Sequence, residues 1–163
     1  MDLNNSPGTA PRKASNDEVI SGIAKTAGLM GKEIYFPEGL LGFPDEHRFR
    51  LSRFHPRNGS QSPFFVLDSV SGALSFPLIH PDLLSEKFEL PVLPELLDCL
   101  QAANGADQLV PLLIVTMRDS VDAVTVNLQG PLVINPISLR GAQMVIENYP
   151  LCQSLSSSGT SEL

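Results

Sequence analysis

Three histidines, two cysteines and a scatter of carboxylates are the groups in this chain able to act on a substrate or hold a metal. His47, His55 and His80 lie far apart, and none has a histidine, cysteine or acid three or four residues away, the spacing that places two ligands on one helical face. Cys99 and Cys152 lack flanking Cys or His partners and read as free thiols in a reducing compartment. Asp68 and Asp82 offer the acid pair that general acid–base chemistry uses, but one precedes Ser69-Val-Ser-Gly72 and the other follows Pro81, ordinary turn contexts. Ser69-Val-Ser-Gly72 also lacks the glycine two residues before the serine that a nucleophile elbow requires. No phosphate loop or dinucleotide fingerprint occurs. The residues thus predict a protein that is not an enzyme, with no cofactor and no metal.

Gly39-Leu-Leu-Gly42 has the outline of the Gly-x-x-Gly loop that clamps nucleic acids. That loop needs exposed basic positions, whereas this one holds two leucines beside Glu38 and Asp45. A glycine-rich turn is the simpler reading, with an unusually apolar centre. Leu40, Leu41 and Phe43 must either pack inward or present a sticky surface.

The elements that position these groups follow from length and patterning. At 163 residues and 42% hydrophobic content, the chain suits one domain with its own core. Residues 1–31, rich in Pro, Gly, Asn and Ser, read as a disordered tail with a transient helix over 17–27, and residues 151–163 as a flexible polar end. The working domain is then 32–150. No cationic and apolar leader opens the chain, and Leu109–Val115, the longest near-continuous apolar run, falls far below the roughly 20 residues of a membrane helix. Together these predict a cytoplasmic protein with no membrane contact. A net charge of −7 argues against a direct grip on nucleic acid and favours a basic protein partner, although excess acid also serves solubility alone.

Within 32–150, short apolar runs recur about every ten residues, cut by Pro and Gly. They span 33–36, 49–54, 63–68, 73–80, 87–92, 109–117, 123–128, 132–134 and 143–147. This predicts a mainly β fold, a small irregular antiparallel β-barrel or sandwich. One segment differs: Pro94-Glu-Leu-Leu-Asp-Cys-Leu-Gln-Ala-Ala103, stopped by Asn104-Gly105, predicts one short helix over about 94–103. Prolines within the runs belong at edges, ends or bulges, because proline donates nothing to a ladder. Gln129-Gly-Pro131, between β-branched runs, marks a sharp kink between two strands.

Four stretches carry a family likeness in order: Phe36-Pro-Glu-Gly-Leu-Leu-Gly-Phe43; Pro63-Phe-Phe-Val-Leu-Asp-Ser69; Leu74-Ser-Phe-Pro-Leu-Ile-His-Pro81; and Val124-Thr-Val-Asn-Leu-Gln-Gly-Pro-Leu-Val-Ile-Asn135, continuing to Gly141-Ala-Gln-Met-Val-Ile146. They span residues 32–151, and in them the chain resembles the flagellar assembly factor FliW family. It departs from that pattern at Gly130, where the family usually has alanine, a change expected to be harmless. The family's more aromatic strand is Phe64-Phe65-Val66 here, and the segment before Lys32 is longer than usual.

The resemblance implies a β-barrel-like binding protein that antagonises CsrA, an RNA-binding translational regulator, and also binds flagellin. Retained flagellin would occupy it and leave CsrA free to block the flagellin message; export of flagellin would let it capture CsrA. For a basic partner, the acid- and amide-bearing candidates are Glu38, Asp45, Asp68, Asp119, Asp122, Asn127, Gln129 and Asn135, of which Asn127 and Asn135 equally suit structural caps. For the amphipathic helices of flagellin, Leu40, Leu41 and Phe43 are the candidates. The free protein is expected to be monomeric. The alternatives are a flagellin chaperone without CsrA regulation and a small-molecule-binding β-barrel.

Overall fold

Alternation decides the architecture. In Arg48-Phe-Arg-Leu51 the arginines face solvent while Phe49 and Leu51 are fully buried, the period of two that a half-buried strand imposes. A computed structural model of the protein describes residues 24–59, 62–84, 88–102, 105, 108–116, 124–147 and 153–154. Its strands are β1 (Glu33–Tyr35), β2 (Arg48–Arg53), β3 (Phe64–Ser69), β4 (Ser75–Ile79), β5 (Val110–Thr116), β6 (Thr125–Asn135), β7 (Arg140–Gln143) and β8 (Gln153–Ser154). Seven close on themselves in the order β5-β4-β3-β2-β1-β7-β6 and back to β5, while β8 pairs with β6. Closure removes the open edges that would otherwise invite another chain. The pairings are antiparallel except β1 with β7, which meet in parallel at Tyr35 and Arg140.

Ile34, Phe36, Phe49, Leu51, Phe65, Leu67, Leu112, Leu132 and Ile134 share the barrel core, where the Phe36 ring stands edge-on to Phe49 at 5.3 Å. Val133 alternates with Leu132 and Ile134 and so faces the other side of the sheet, where it is buried with Leu96 and Leu100. Those leucines come from the helix Pro94–Leu100, which has proline in its first turn and Glu95 beside it. Gln101 ends the helix in the left-handed conformation (φ 56°). The last carbonyls are satisfied by β6 and its exit: Asn135 Nδ2 donates to Leu100 O (2.8 Å) and Gln101 O (3.3 Å), and Ser138 Oγ donates to Leu100 O (2.7 Å).

Several elements differ from expectation. Residues 24–31 are ordered: 24–27 form a helical turn, Thr26 and Leu29 are fully buried, and Met30 bridges Leu51. Leu29 joins the barrel core, a single anchor that a composition dominated by small and polar residues conceals. Residues 1–23, including most of the expected transient helix, lie outside the described residues. The expected strand at 87–92 is absent over 88–92, where Phe88 and Leu90 pack against the helix. The helix stops at Leu100 rather than 103, because Gln101 reverses the backbone before Asn104-Gly105 is reached. The strand expected at 143–147 lies at 140–143. Beyond it the chain still docks on β6, with Met144 N donating to Pro131 O and Ile146 N to Gln129 O. β8 falls inside the expected C-terminal tail.

The two strands expected around Gln129-Gly-Pro131 are one strand with a wide bulge. On β6, residues 128–131 lie between the partners of Leu112 and Ile114, which are a single residue apart on β5. Pro77 stands inside the β3–β4 ladder, opposite Val66, but outside the β4–β5 ladder, which begins at Leu78 and Ile79, while Pro111 pairs with Val133 within β5 and β6 rather than at an edge.

Buried His80 caps the short 3₁₀ turn Pro81–Leu83, its Nδ1 accepting from Asp82 N at 3.1 Å. Burial pushes its pKa below the usual 6.5; the Asp82 carboxylate pulls the other way, and Lys25 reinforces the lowering. The unfolded chain therefore binds the proton more readily than the native one, and stability falls as pH drops below about 6.5 towards the native pKa. His80→Asn retains an acceptor without titrating in this range. Thermal unfolding at pH 7.5 and 5.5 is expected to show a larger loss for the native protein than for this variant; equal losses would remove His80 from the acid response.

Candidate protein-binding site

Phe36 follows β1 as a core anchor and starts a tight turn. Its carbonyl accepts from Gly39 N (3.0 Å) and from the Nδ1 of His47 (2.9 Å). Leu40 and Phe43 then exchange two backbone hydrogen bonds, 3.2 and 2.7 Å, which fix the loop between them. Gly39 is required there: its φ is +68°, and a Cβ would stand 2.6 Å from Phe43 O. The consequence is a division of the two leucines. Leu40 is 3% exposed inside the barrel core, whereas Leu41 is 57% and Phe43 40% exposed, the latter's ring edge resting on Phe76.

Beside the turn opens a cavity of about 240 Å³, lined among others by Glu38, Leu40, Leu41, Cys99, Ala142 and Gln143. Gln143 joins its walls: Oε1 accepts from Leu41 N at 2.7 Å, and Nε2 donates to Gly130 O at 3.0 Å. A Cβ on Gly130 would lie 2.9 Å from that nitrogen, so alanine at this position requires the amide, the far end of a flexible side chain, to shift. Asn127 Oδ1 holds the same bulge, accepting from Gln129 N (2.9 Å) and Gly130 N (3.1 Å). Burial first, then the Glu38 carboxylate, raises the pKa of Cys99, with Arg140 opposing; the group facing the cavity is a neutral thiol. Among the described residues no cluster of three His, Cys, Asp or Glu suits a metal. Apolar walls with one amide and one carboxylate at the rim suit an apolar side chain presented by a partner.

The sequence candidates separate accordingly. Glu38, Leu41, Phe43 and Asp45 gather on the exposed turn. Leu40 takes the inward of its two expected positions and is corrected as a contact candidate, because the loop geometry turns it into the core. Asn135 is likewise corrected: fully buried, it caps the helix from within. Asn127 serves the bulge and Gln129 is part of it, both half-buried and joined to the turn through Gln143. Asp68 is exposed on β3, in register with Arg50 of β2 rather than on the turn. Asp119 and Asp122 lie outside the described residues. Sequence reasoning missed Gln143 and Cys99 as cavity residues; the available signal was a lone amide between small and apolar residues in Gly141-Ala-Gln-Met144. Among the described residues no helix is long and apolar enough to cross a membrane.

Comparison with known proteins places this surface in context. The family model described as FliW protein matches residues 24–155, starting within the helical turn that precedes β1. The flagellar assembly factor FliW of Treponema pallidum (strain Nichols) is 36% identical over 114 residues, which cover 69% of this chain and 72% of that protein. The FliW of Thermoanaerobacter pseudethanolicus is 29% identical over 116 residues, 71% of this chain and 75% of its own length. A crystal structure of the flagellar assembly factor FliW superimposes with a TM-score of 0.66 at 32% identity, covering 76% of this chain and 84% of that one.

Proposed function

The chain belongs to the FliW family of flagellar assembly factors, and on that premise we propose that it works in the cytoplasm, without catalysis, by exchanging two protein partners. Flagellin is one: an amphipathic helix lays its apolar face over Leu41 and Phe43 and sets a side chain into the adjoining cavity. CsrA is the other, its basic RNA-binding surface attracted by the chain's net charge of −7 and by acids that include Glu38 and Asp45 at the same turn. Flagellin on the turn leaves CsrA free to repress the flagellin message; removal of flagellin by export lets CsrA be captured, and translation resumes.

The observation that carries this reading is the exposure of Leu41 and Phe43 on a backbone held by internal hydrogen bonds, beside an apolar cavity. A half-exposed apolar side chain on a rigid turn loses little entropy when a partner covers it. The test is calorimetric titration of CsrA into the protein, with and without flagellin, at two salt concentrations. Salt-sensitive CsrA binding that flagellin abolishes supports partner exchange. Binding to flagellin alone reduces the role to that of a chaperone, and binding to neither favours a ligand-holding barrel.

Leu41→Asp is expected to weaken flagellin binding about ten- to thirtyfold, roughly 1.4 to 2 kcal/mol, by losing apolar contact and burying a carboxylate against it. Its thermal midpoint should stay near that of the native protein, because the side chain is already in water. Native affinity in this folded variant would move the flagellin site elsewhere.

A further inference from the structure

We propose that Gln143 is the positioning residue of the apolar turn, bracing Leu41 against the β6 bulge so that the turn is presented to a partner in one fixed form. This rests on the reading that Leu41 and Phe43 meet an apolar helix, and it adds a residue of β7 that lies outside the turn.

The geometry is specific. The Leu41 amide lies at the tip of an exposed loop, 102 residues away in sequence from its acceptor, and has Gln143 Oε1 at 2.7 Å. The turn's own backbone bonds join Gly39 to Phe36 and Leu40 to Phe43, so they fix the base of the loop, while the Gln143 bond reaches the residue that carries the exposed leucine. The same amide is tied through its other atom, Nε2 donating to Gly130 O at 3.0 Å. A glutamine anchored through both atoms of its amide has lost its rotamer freedom before any partner arrives, so binding need not restrict it again. Room for the amide comes from Gly130, where a Cβ would intrude to 2.9 Å. The bulge that offers Gly130 O is held by Asn127 Oδ1 through two backbone amides. The brace thus runs from Asn127 through Gly130 and Gln143 to Leu41.

Gln143→Leu keeps the approximate bulk of the side chain and removes both bonds, and Gly130→Ala displaces the amide while leaving Gln143 in place. The measurements are amide hydrogen exchange at Leu41 by NMR and calorimetric affinity for flagellin on the full chain. Both variants are expected to accelerate Leu41 exchange about tenfold or more and to weaken flagellin binding about three- to tenfold, with exchange in the β2 and β3 core unchanged. Gln143→Glu, which retains the acceptor for Leu41 N but repels Gly130 O, should fall between, and it serves as the second variant where leucine disturbs folding. Unchanged Leu41 exchange in these variants would overturn the brace. So would accelerated exchange with native flagellin affinity while Leu41→Asp loses it, because the bond would then exist without positioning anything. Native flagellin affinity in Leu41→Asp itself refutes the binding reading instead, a result separable from the exchange data.

Discussion

Asn135→Ala is expected to cost about 2–3 kcal/mol of folding stability, because truncation removes every hydrogen bond of a fully buried amide and takes these partners from two partly buried backbone groups. The side chain is fully buried and works in two directions. Its Nδ2 donates to Leu100 O and Gln101 O at the end of the helix, and its Oδ1 accepts from Ile137 N at 2.9 Å in the turn leading to β7. Alanine leaves Gln101 O and Ile137 N without these partners, while Leu100 O retains Ser138 Oγ. The helix and β7 both border the cavity, through Cys99 on one side and Ala142 and Gln143 on the other. Loss of the cap therefore loosens the cavity as well as the fold. Urea denaturation is the direct measurement, with Asn135→Asp as a control. The aspartate keeps the acceptor but points a buried carboxyl at two carbonyls, which favours its protonated form. Its raised native pKa makes the deficit grow as pH rises. A loss below about 1 kcal/mol in the alanine variant would mean that water replaces the cap and that the helix does not depend on it.

The legible part of this fold was the part set by period and punctuation. Phe49 and Leu51 between arginines, and Phe65 and Leu67 alternating on the neighbouring β3, declare strands whichever chain they occur in. Proline and Glu95 at the start of the helix were equally plain. Hidden features depended on contacts distant in sequence. Nothing local distinguishes Leu29 from a tail residue, yet it is a core residue because Met30 bridges Leu51. Leu40 and Leu41 are identical in type and adjacent; their opposite fates are set by the paired backbone bonds from Leu40 to Phe43, which require Gly39 at positive φ. Asn135 and Asn127 suit caps and a binding surface equally in sequence, and what makes one a buried cap and the other a bulge clamp is the helix 35 residues away and the bulge opposite Leu113. The candidate site was legible as an apolar turn beside acids. Its far wall was not, because Gln143 and Cys99 arrive there through β7 and the helix, whose packing no short motif records.

Gly141→Ala should be the second most damaging substitution, and it separates the barrel from the binding surface. The added Cβ would stand 2.5 to 3.0 Å from three atoms of the Phe36 ring, closer than real methyl contacts permit. Phe36 has little room to retreat: it is fully buried, its ring is edge-on to Phe49, and its backbone N–H and carbonyl are both bonded to the His47 region. Overpacking of this kind costs about 1–3 kcal/mol, and the rigidity of the ring puts this case near the upper end. Because Phe36 begins the turn that displays Leu41, a ring pushed from Gly141 carries the turn with it. On the proposed reading, flagellin affinity should then fall even in a protein that remains folded at the assay temperature. Paired replacement by Phe36→Leu, with its smaller side chain, is expected to recover part of the stability lost to Gly141→Ala, since the clash is removed at the expense of some core volume. A double variant as unstable as the sum of the two single variants would show that the methyl group is accommodated without touching Phe36. The strain would then lie in β7 itself, where Gly141 pairs with Ile134.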